Sequence, residues 1–258
     1  MAWTRARGSL RAHASARAER VGGRTRLVEL RSEAPLVLRA TPNALYLVGG
    51  AAGPLGGDDL ALDVAVGCGA CLSVRSAAAT LAQPGACASS SRSAMHLDIG
   101  DGAAVDWHLE PLVSVVGSDH LVDTTVTLAR SSRLRLVDEM VLGRAGEASG
   151  RIRVRCRVVR EGAHVLAHDL DLGPGSPGWD GAAVMGGARA LISALLVGPD
   201  APPTASVANA RDGSRAAWMP FAPEAALLLA VGPSLLSARH LVHSLGSRVI
   251  RGASRRVE

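Results

Sequence analysis

The amino-acid sequence predicts a mainly β chain: a stacked two-layer array of β-hairpins, β-helix-like, with two C-terminal α-helices. Three observations carry that expectation. The first is an internal repeat, Val64-x-Val66-Gly-Cys-Gly-Ala-x-Leu72-x-Val74, which returns as Leu97-x-Ile99-Gly-Asp-Gly-Ala-x-Val105-x-Trp107 and again as Val126-x-Leu128-Ala-Arg-Ser-Ser-x-Leu134-x-Leu136. The second is strict apolar alternation on both sides of each turn, which places residues i and i+2 on one face of a strand. The third is a Gly/Pro run, Gly173-Pro-Gly-Ser-Pro-Gly178, after which apolar residues recur at helical spacing.

The elements follow in order. Leu10, Ala12, Ala14, Ala16 and Ala18 alternate with Arg11, His13, Ser15 and Arg17, the signature of a half-buried strand. Strands are expected at Thr25–Arg31, Pro35–Arg39, Leu60–Val66 and Ile152–Val158, the last with arginine at alternate positions. A fourth, looser copy of the repeat runs from Val159 to Val165. One such unit cannot hide its own apolar face, but units laid side by side at a period of roughly 30 residues bury one another. Residues from about 9 to 172 therefore read as one β body, and about 173 to 258 as a helix-containing part of the same single domain, 1–258. Val184, Ala188, Leu191, Ile192, Leu195 and Leu196 give the first helix. Leu235, Ala238, Leu241, Val242 and Leu245, behind Pro233 and Ser234, give the second. The polar stretch Asp200–Ala210 is expected as a loop.

Composition excludes several chemistries. All 28 cations are arginine, so a P-loop lysine, a kinase strand lysine and an amine nucleophile for Schiff-base chemistry are absent. The six aromatics, Trp3, Tyr46, Trp107, Trp179, Trp218 and Phe221, leave the core to Val, Leu and Ala and offer few stacking platforms for bases. The net charge of +5 is spread among alternating arginines and acids, and no nucleic-acid partner is expected. No apolar run approaches a membrane span. The N-terminal stretch carries seven arginines before residue 27 but lacks the apolar core of a secretory signal, so a cytoplasmic location is expected.

Few motifs survive scrutiny. Cys68-x-x-Cys71 with Cys87 and Cys156 has the residue types for a structural zinc, yet the next repeat forms the same turn with Asp101 and Ala104. Gly67-Cys-Gly69 leads into a strand and is a turn rather than a dinucleotide fingerprint. No Gly-x-Ser-x-Gly elbow exists, and His240 and His243, one helical turn apart, read as a solvated face. The acids are more informative. Asp58-Asp59 follows Pro54-Leu-Gly-Gly57, Asp106, His108 and Glu110 flank Trp107, and Asp138-Glu139 and Glu147 bracket Leu142-Gly-Arg144. Such acids ordinarily cap turns, but oxygen and imidazole ligands also suit a weakly held divalent ion.

At three of these segments the chain resembles the urease accessory protein UreD (UreH) family. Tyr46–Leu81 is similar to the family's Gly-Gly-Asp turn, alternating strand, Gly-Ala turn and Ala-Ala-Thr segment. Gly102–His120 resembles its Trp-centred strand, and Asp138–Arg155 its Leu-Gly-Arg…Gly-Glu…Gly stretch. The sequence departs from the pattern at Leu81-Ala82 and at Leu109. The resemblance implies a β-rich two-layer body with two helices and a non-catalytic maturation chaperone. It implies binding to apo-urease and to a helical UreF-type accessory protein, and through that partner to a UreG-type GTPase, in a hetero-oligomer. Nickel is expected in transit, with no cofactor bound tightly. Asp58, Glu110, Glu139 and Glu147, which sit in the three resembling segments, are the acids expected along the nickel path. Two readings from other classes compete: a stand-alone β-solenoid ligand-binding module, which would want more exposed aromatics for sugar stacking, and a β-rich hydrolase, which lacks a nucleophile motif.

Overall fold

The structure, a computed structural model, describes residues 9–86 and 89–245. Strand β1 (Arg11–Val21) turns at Gly22-Gly23 into β2 (Arg24–Arg31), and β3 (Leu36–Ala40) pairs antiparallel with β4 (Leu45–Gly49). Three coils follow: β5 (Asp59–Val66), β6 (Cys71–Ser76) and β7 (Thr80–Ala82); β8 (Ser91–Ile99), β9 (Ala104–His108) and β10 (Leu112–Ser114); β11 (Asp119–Leu128) and β12 (Arg133–Leu142). A hairpin, β13 (Arg151–Arg160) and β14 (Ala163–Leu172), precedes β15 (Ala190–Val197), β16 (Ser206–Asn209), β17 (Arg215–Ala222), β18 (Ala225–Gly232) and the helix α1 (Leu235–Leu245).

Two sheets stack face to face. Sheet A has the order β14-β13-β11-β8-β5-β1-β2, and sheet B the order β16-β17-β18-β15-β12-β9-β6-β4-β3 with β7 and β10 to one side. The two-layer stacked body is as the sequence predicts. The repeat units are not hairpins, however. β5 and β6 lie in different sheets, and so do β8 and β9, and β11 and β12. Each strand pairs in parallel with its counterpart in the next unit, Val64 with Leu97 and Leu97 with Val126. Only the fourth copy, β13–β14, closes on itself. Alternation reports which face is buried but not which neighbour a strand pairs with, so it cannot tell a hairpin from the corner of a coil.

The corners explain the repeated turn. Gly69 and Gly102 hold φ of +68° and +64°, a conformation that glycine adopts without steric cost. Gly67 N–H donates to Ala18 O (2.8 Å), Gly100 N–H to Val66 O (2.8 Å) and Ala129 N–H to Ile99 O (2.9 Å), so each corner is stitched onto the one before it. In the third copy, which lacks both glycines, the Ser131 hydroxyl instead accepts from Gly102 N–H and donates to Asp101 Oδ1 (both 2.8 Å). The apolar residues flanking the corners, Val64, Val66, Ile99, Val105, Trp107, Leu128 and Leu134, interlock between the sheets as one core.

The C-terminal part differs from expectation. The first expected helix is strand β15, antiparallel to β12 and β18. Leu195 and Val197 face the inter-sheet core, while Ile192, Ala194 and Leu196 pack under α1 with Ala238, Leu241 and Val242. A strand buried on both faces reads as an unbroken apolar run and loses its period-two signature. The β body thus resumes beyond residue 172, and the expected loop 200–210 contains β16 at the sheet edge. The second expected helix is α1, capped by Ser234 Oγ, which accepts from Ser237 N–H at 3.1 Å. Among the described residues no helix is long and apolar enough to cross a membrane.

Candidate functional site

Sheet B is broken in the middle. β12 pairs with β9 as far as Val137–His108 and resumes with β10 at Met140–Leu112. Across the break, two residues of β12, Asp138 and Glu139, face three of its neighbour, Leu109, Glu110 and Pro111. One strand further out, β6 pairs to Val74–Trp107 and β7 resumes at Thr80–Leu112, so Arg75–Ala79 must pass four residues with five. The mismatch prises the strands apart. Behind the opening lies a cavity of ≈ 390 Å³ between the sheets, rimmed by Ala77–Thr80 and Glu110.

The cavity exists because the inward positions at this end of the coils are small or polar. On β8 the buried face runs Ile99, Leu97, then Met95, Ser93 and Ser91; on β11 it runs Leu128, Val126, then Thr124, Val122 and His120. The aliphatic side chains that fill the space near the corners give way to serine, threonine and histidine, with Met95 and Val122 only half-buried among them. On β12 the inward series Leu134, Leu136, Met140 and Leu142 is interrupted by Asp138, whose side chain lies in the cavity wall. Asp138 retains partial accessibility, supplied by the cavity, while protein encloses it otherwise. Burial pushes its carboxyl from 3.8 up to about 6, against the charge of His108, and no hydrogen bond contributes. Across the gap Cys156 on β13 is buried, and burial followed by the Asp138 charge lifts its thiol to about 12.

Glu139, one residue on, points the other way. Its side chain is fully buried beneath α1, where Arg239 Nε donates to Oε1 at 2.9 Å, the second guanidinium nitrogen donates to Oε2, and His108 Nε2 lies 3.5 Å from Oε1. Burial alone would raise this carboxyl; hydrogen bonds and charge from His108 and Arg239 hold it below its ordinary range. Glu110 is exposed at the rim, close enough for its charge to be felt by Arg239. Its backbone N–H donates to Ser76 Oγ at 2.8 Å, which fixes the lip of the opening.

Of the four acids singled out in the sequence, the structure brings Glu110 and Glu139 together at the break. Asp58 and Glu147 lie elsewhere. Asp58 is buried and accepts from Leu10 N–H (3.0 Å) and Leu55 N–H (2.9 Å), tying the chain start to the turn before β5. Glu147 takes both its hydrogen-bonded oxygens to the Arg144 guanidinium (2.8 and 2.9 Å), which draws its carboxyl down to about 2. Asp106 is held on the outer face of sheet B between Arg75 and Arg135. Cys68 and Cys71 are exposed at a corner, and Cys87 lies outside the described residues. Among the described residues no three His, Cys, Asp or Glu side chains converge as a metal cluster. In the sequence Asp138 shows only as part of an acid pair and Cys156 only as a thiol beside the Cys-x-x-Cys, and nothing there singles out His120, Ser91 or Ser93, although each occupies a core-facing position in its strand.

A family model described as UreD urease accessory protein matches residues 7–254. The chain belongs to the UreD family. It is 42% identical over 270 aligned positions to the urease accessory protein UreD of Frankia casuarinae, covering 89% of this chain and 84% of that one. It is 42% identical over 245 positions to the UreD of Streptomyces coelicolor, covering 91% and 95%. UreD 2 of Saccharopolyspora erythraea is 38% identical over 241 positions, covering 89% and 85%. Within this family frame, the sheet break gathers Glu110, Asp138 and Glu139 beside the cavity.

Proposed function

We propose that this chain is a non-catalytic chaperone of urease maturation in the cytoplasm. It binds apo-urease and a UreF-type accessory protein, is linked through the latter to a UreG-type GTPase, and conducts nickel to the urease active site through the inter-sheet cavity. Family membership supports the maturation role. The observation that carries the conduit is the sheet break itself, an opening that leads past the exposed Glu110 to an interior carboxylate, Asp138, that has no hydrogen-bond partner among the described residues. A bare dication in a dry protein interior meets a prohibitive desolvation cost, so its path must be lined with ligands. Each ligand must also release the ion, and single carboxylates spaced along a wall do that better than a closed cluster. Glu139, neutralised by Arg239, would hold the lip in place while Glu110 and Asp138 meet the ion.

The test measures nickel per urease active site alongside pulldown of the accessory complex. Glu110→Ala and Asp138→Asn should each lower nickel loading while the complex still assembles, and the double variant should be lower than either. Loading that falls only where the complex is also lost, or does not fall at all, overturns the conduit.

A further inference from the structure

His120 stands out among the groups that this reading leaves unused. It is 1% exposed, lines the cavity, and makes no ion pair with a carboxylate among the described residues. Its Nδ1 lies 2.8 Å from the hydroxyl of Ser91, itself 1% exposed, and that hydroxyl lies 3.5 Å from the Asp119 carbonyl oxygen. In the tautomer whose Nδ1–H donates to Ser91 Oγ, with Ser91 Oγ–H turned to the carbonyl, Nε2 is a bare lone pair. Nε2 is not among the buried polar atoms without a partner, because it opens onto the cavity. An imidazole with one nitrogen fixed by a hydrogen bond and the other turned to a void has the posture of a metal ligand with its supporting partner.

We propose that the inner end of the cavity is a single-imidazole stop for a borderline divalent cation, with His120 Nε2 as ligand and Ser91 as the positioning residue. The inference rests on the cavity serving as an ion route and names a specificity-determining ligand within it. Counting away from the corner between Leu128 and Leu134 places Val126 at the level of Leu136, both in the inter-sheet core, and Thr124 at the level of Asp138. The cross-strand pairing of Thr124 with Cys156, which feels the Asp138 charge, agrees with that count. His120 therefore lies four residues beyond the level of Asp138, about 13 Å along the strand. The two act in succession rather than as co-ligands. Carboxylates alone accept magnesium and calcium as readily as nickel, whereas an imidazole nitrogen favours nickel, copper and zinc over those hard ions. One nitrogen, with water completing the shell, discriminates without trapping.

The experiment is equilibrium dialysis of the full chain against Ni²⁺ alone and against Ni²⁺ with excess Mg²⁺, in a His240→Gln/His243→Gln background that removes the exposed helix pair. His120→Gln should weaken interior Ni²⁺ binding at least tenfold and abolish the preference for Ni²⁺ over Mg²⁺. Ser91→Ala, which keeps the imidazole but frees the ring, should weaken it severalfold with an unchanged unfolding midpoint. Unchanged Ni²⁺ affinity and selectivity in Ser91→Ala together with either unchanged binding or loss of fold in His120→Gln overturns the site. The conduit is judged separately: loading of urease that depends on Asp138 but not on His120 sinks this inference and leaves the conduit, whereas Ni²⁺ held by His120 with loading indifferent to Asp138 and Glu110 does the reverse.

Discussion

Replacing Asp138 by asparagine should stabilise the protein at neutral pH. Burial raises the folded-state pKa of Asp138 from 3.8 to about 6, so the folded state prefers the protonated acid. Stability from this group is fully present below about pH 4 and is lost as pH rises through about 6. Above that, the charge costs close to the full difference of about 2 pH units, at about 1.4 kcal/mol each, or about 3 kcal/mol. Partial hydration by the cavity makes that an upper bound, and a gain of about 1–3 kcal/mol at pH 7.5 is expected for Asp138→Asn. At pH 4.5 most of the wild-type acid is protonated when folded, and the gain should shrink to about 1 kcal/mol or less. Urea unfolding of both proteins at the two pH values, followed by circular dichroism, reads the difference with every other titrating group in common. A variant that is less stable at pH 7.5, or equally more stable at both values, would show that Asp138 is paired or solvated when folded and would refute the reasoning. The same variant should load less nickel, so stability and function should move in opposite directions.

Arg239→Ala strands the buried Glu139 carboxylate with His108 as its remaining partner, and should cost about 2–4 kcal/mol by urea unfolding; Glu139→Leu/Arg239→Leu, which removes both charges, should recover much of it. That loss should ease as pH falls, because the wild type gives up its advantage as the Glu139 carboxyl, held below its ordinary value by His108 and Arg239, takes up a proton. Cys68→Ser/Cys71→Ser should leave the unfolding midpoint within about 0.5 kcal/mol of wild type, since both thiols are exposed at a corner whose repeat counterparts are not cysteines. Asp58→Ala should lower stability by about 1–3 kcal/mol through its two stranded backbone donors, and any loss of nickel loading should track that loss; Glu147→Ala should leave loading unchanged.

How much of this was legible depended on which signal each residue obeys. The coils and their corners follow from period-two alternation, and Val64, Leu97 and Val126 fall in register as the repeat implies. Pairing partners do not follow, because alternation is a property of one strand alone, and the corner Val66–Leu72 looks like a hairpin turn until the third dimension is known. β15 was misread because both its faces are buried. The break in sheet B was invisible for another reason: it arises from a difference in residue number between neighbouring coils, three against two and five against four, which appears only once register is fixed. The site signal was nevertheless present. Extending the apolar phase of β12 from Leu134 and Leu136 lands on Asp138, and extending that of β11 from Leu128 and Val126 lands on His120. A polar residue in phase with a core is more informative than an acid beside a turn. Asp58 and Glu147 meet the second criterion, and each is hydrogen-bonded at a turn.

The placement of Asp138 inside and Glu139 outside is a consequence of register rather than of either residue's own preference. Adjacent residues on a strand face opposite sides, so a slip of one position would put Asp138 under Arg239 and Glu139 in the cavity. It would also expel Leu134, Leu136, Met140 and Leu142 from the cores they fill. At about 1.5–3 kcal/mol for each buried side chain, that costs roughly 6–12 kcal/mol, several times the penalty of about 3 kcal/mol for holding a charge at Asp138. The apolar residues of β12 therefore pin the acid where folding alone would not keep it. The Arg239–Glu139 clamp draws on the same register from the other face, fixing α1 over the break. An interior carboxylate without a hydrogen-bond partner among the described residues is thus maintained by its neighbours at a strand spacing of two, and filling the cavity or mutating those four leucine and methionine positions should disturb the proposed ion passage as surely as removing the acid itself.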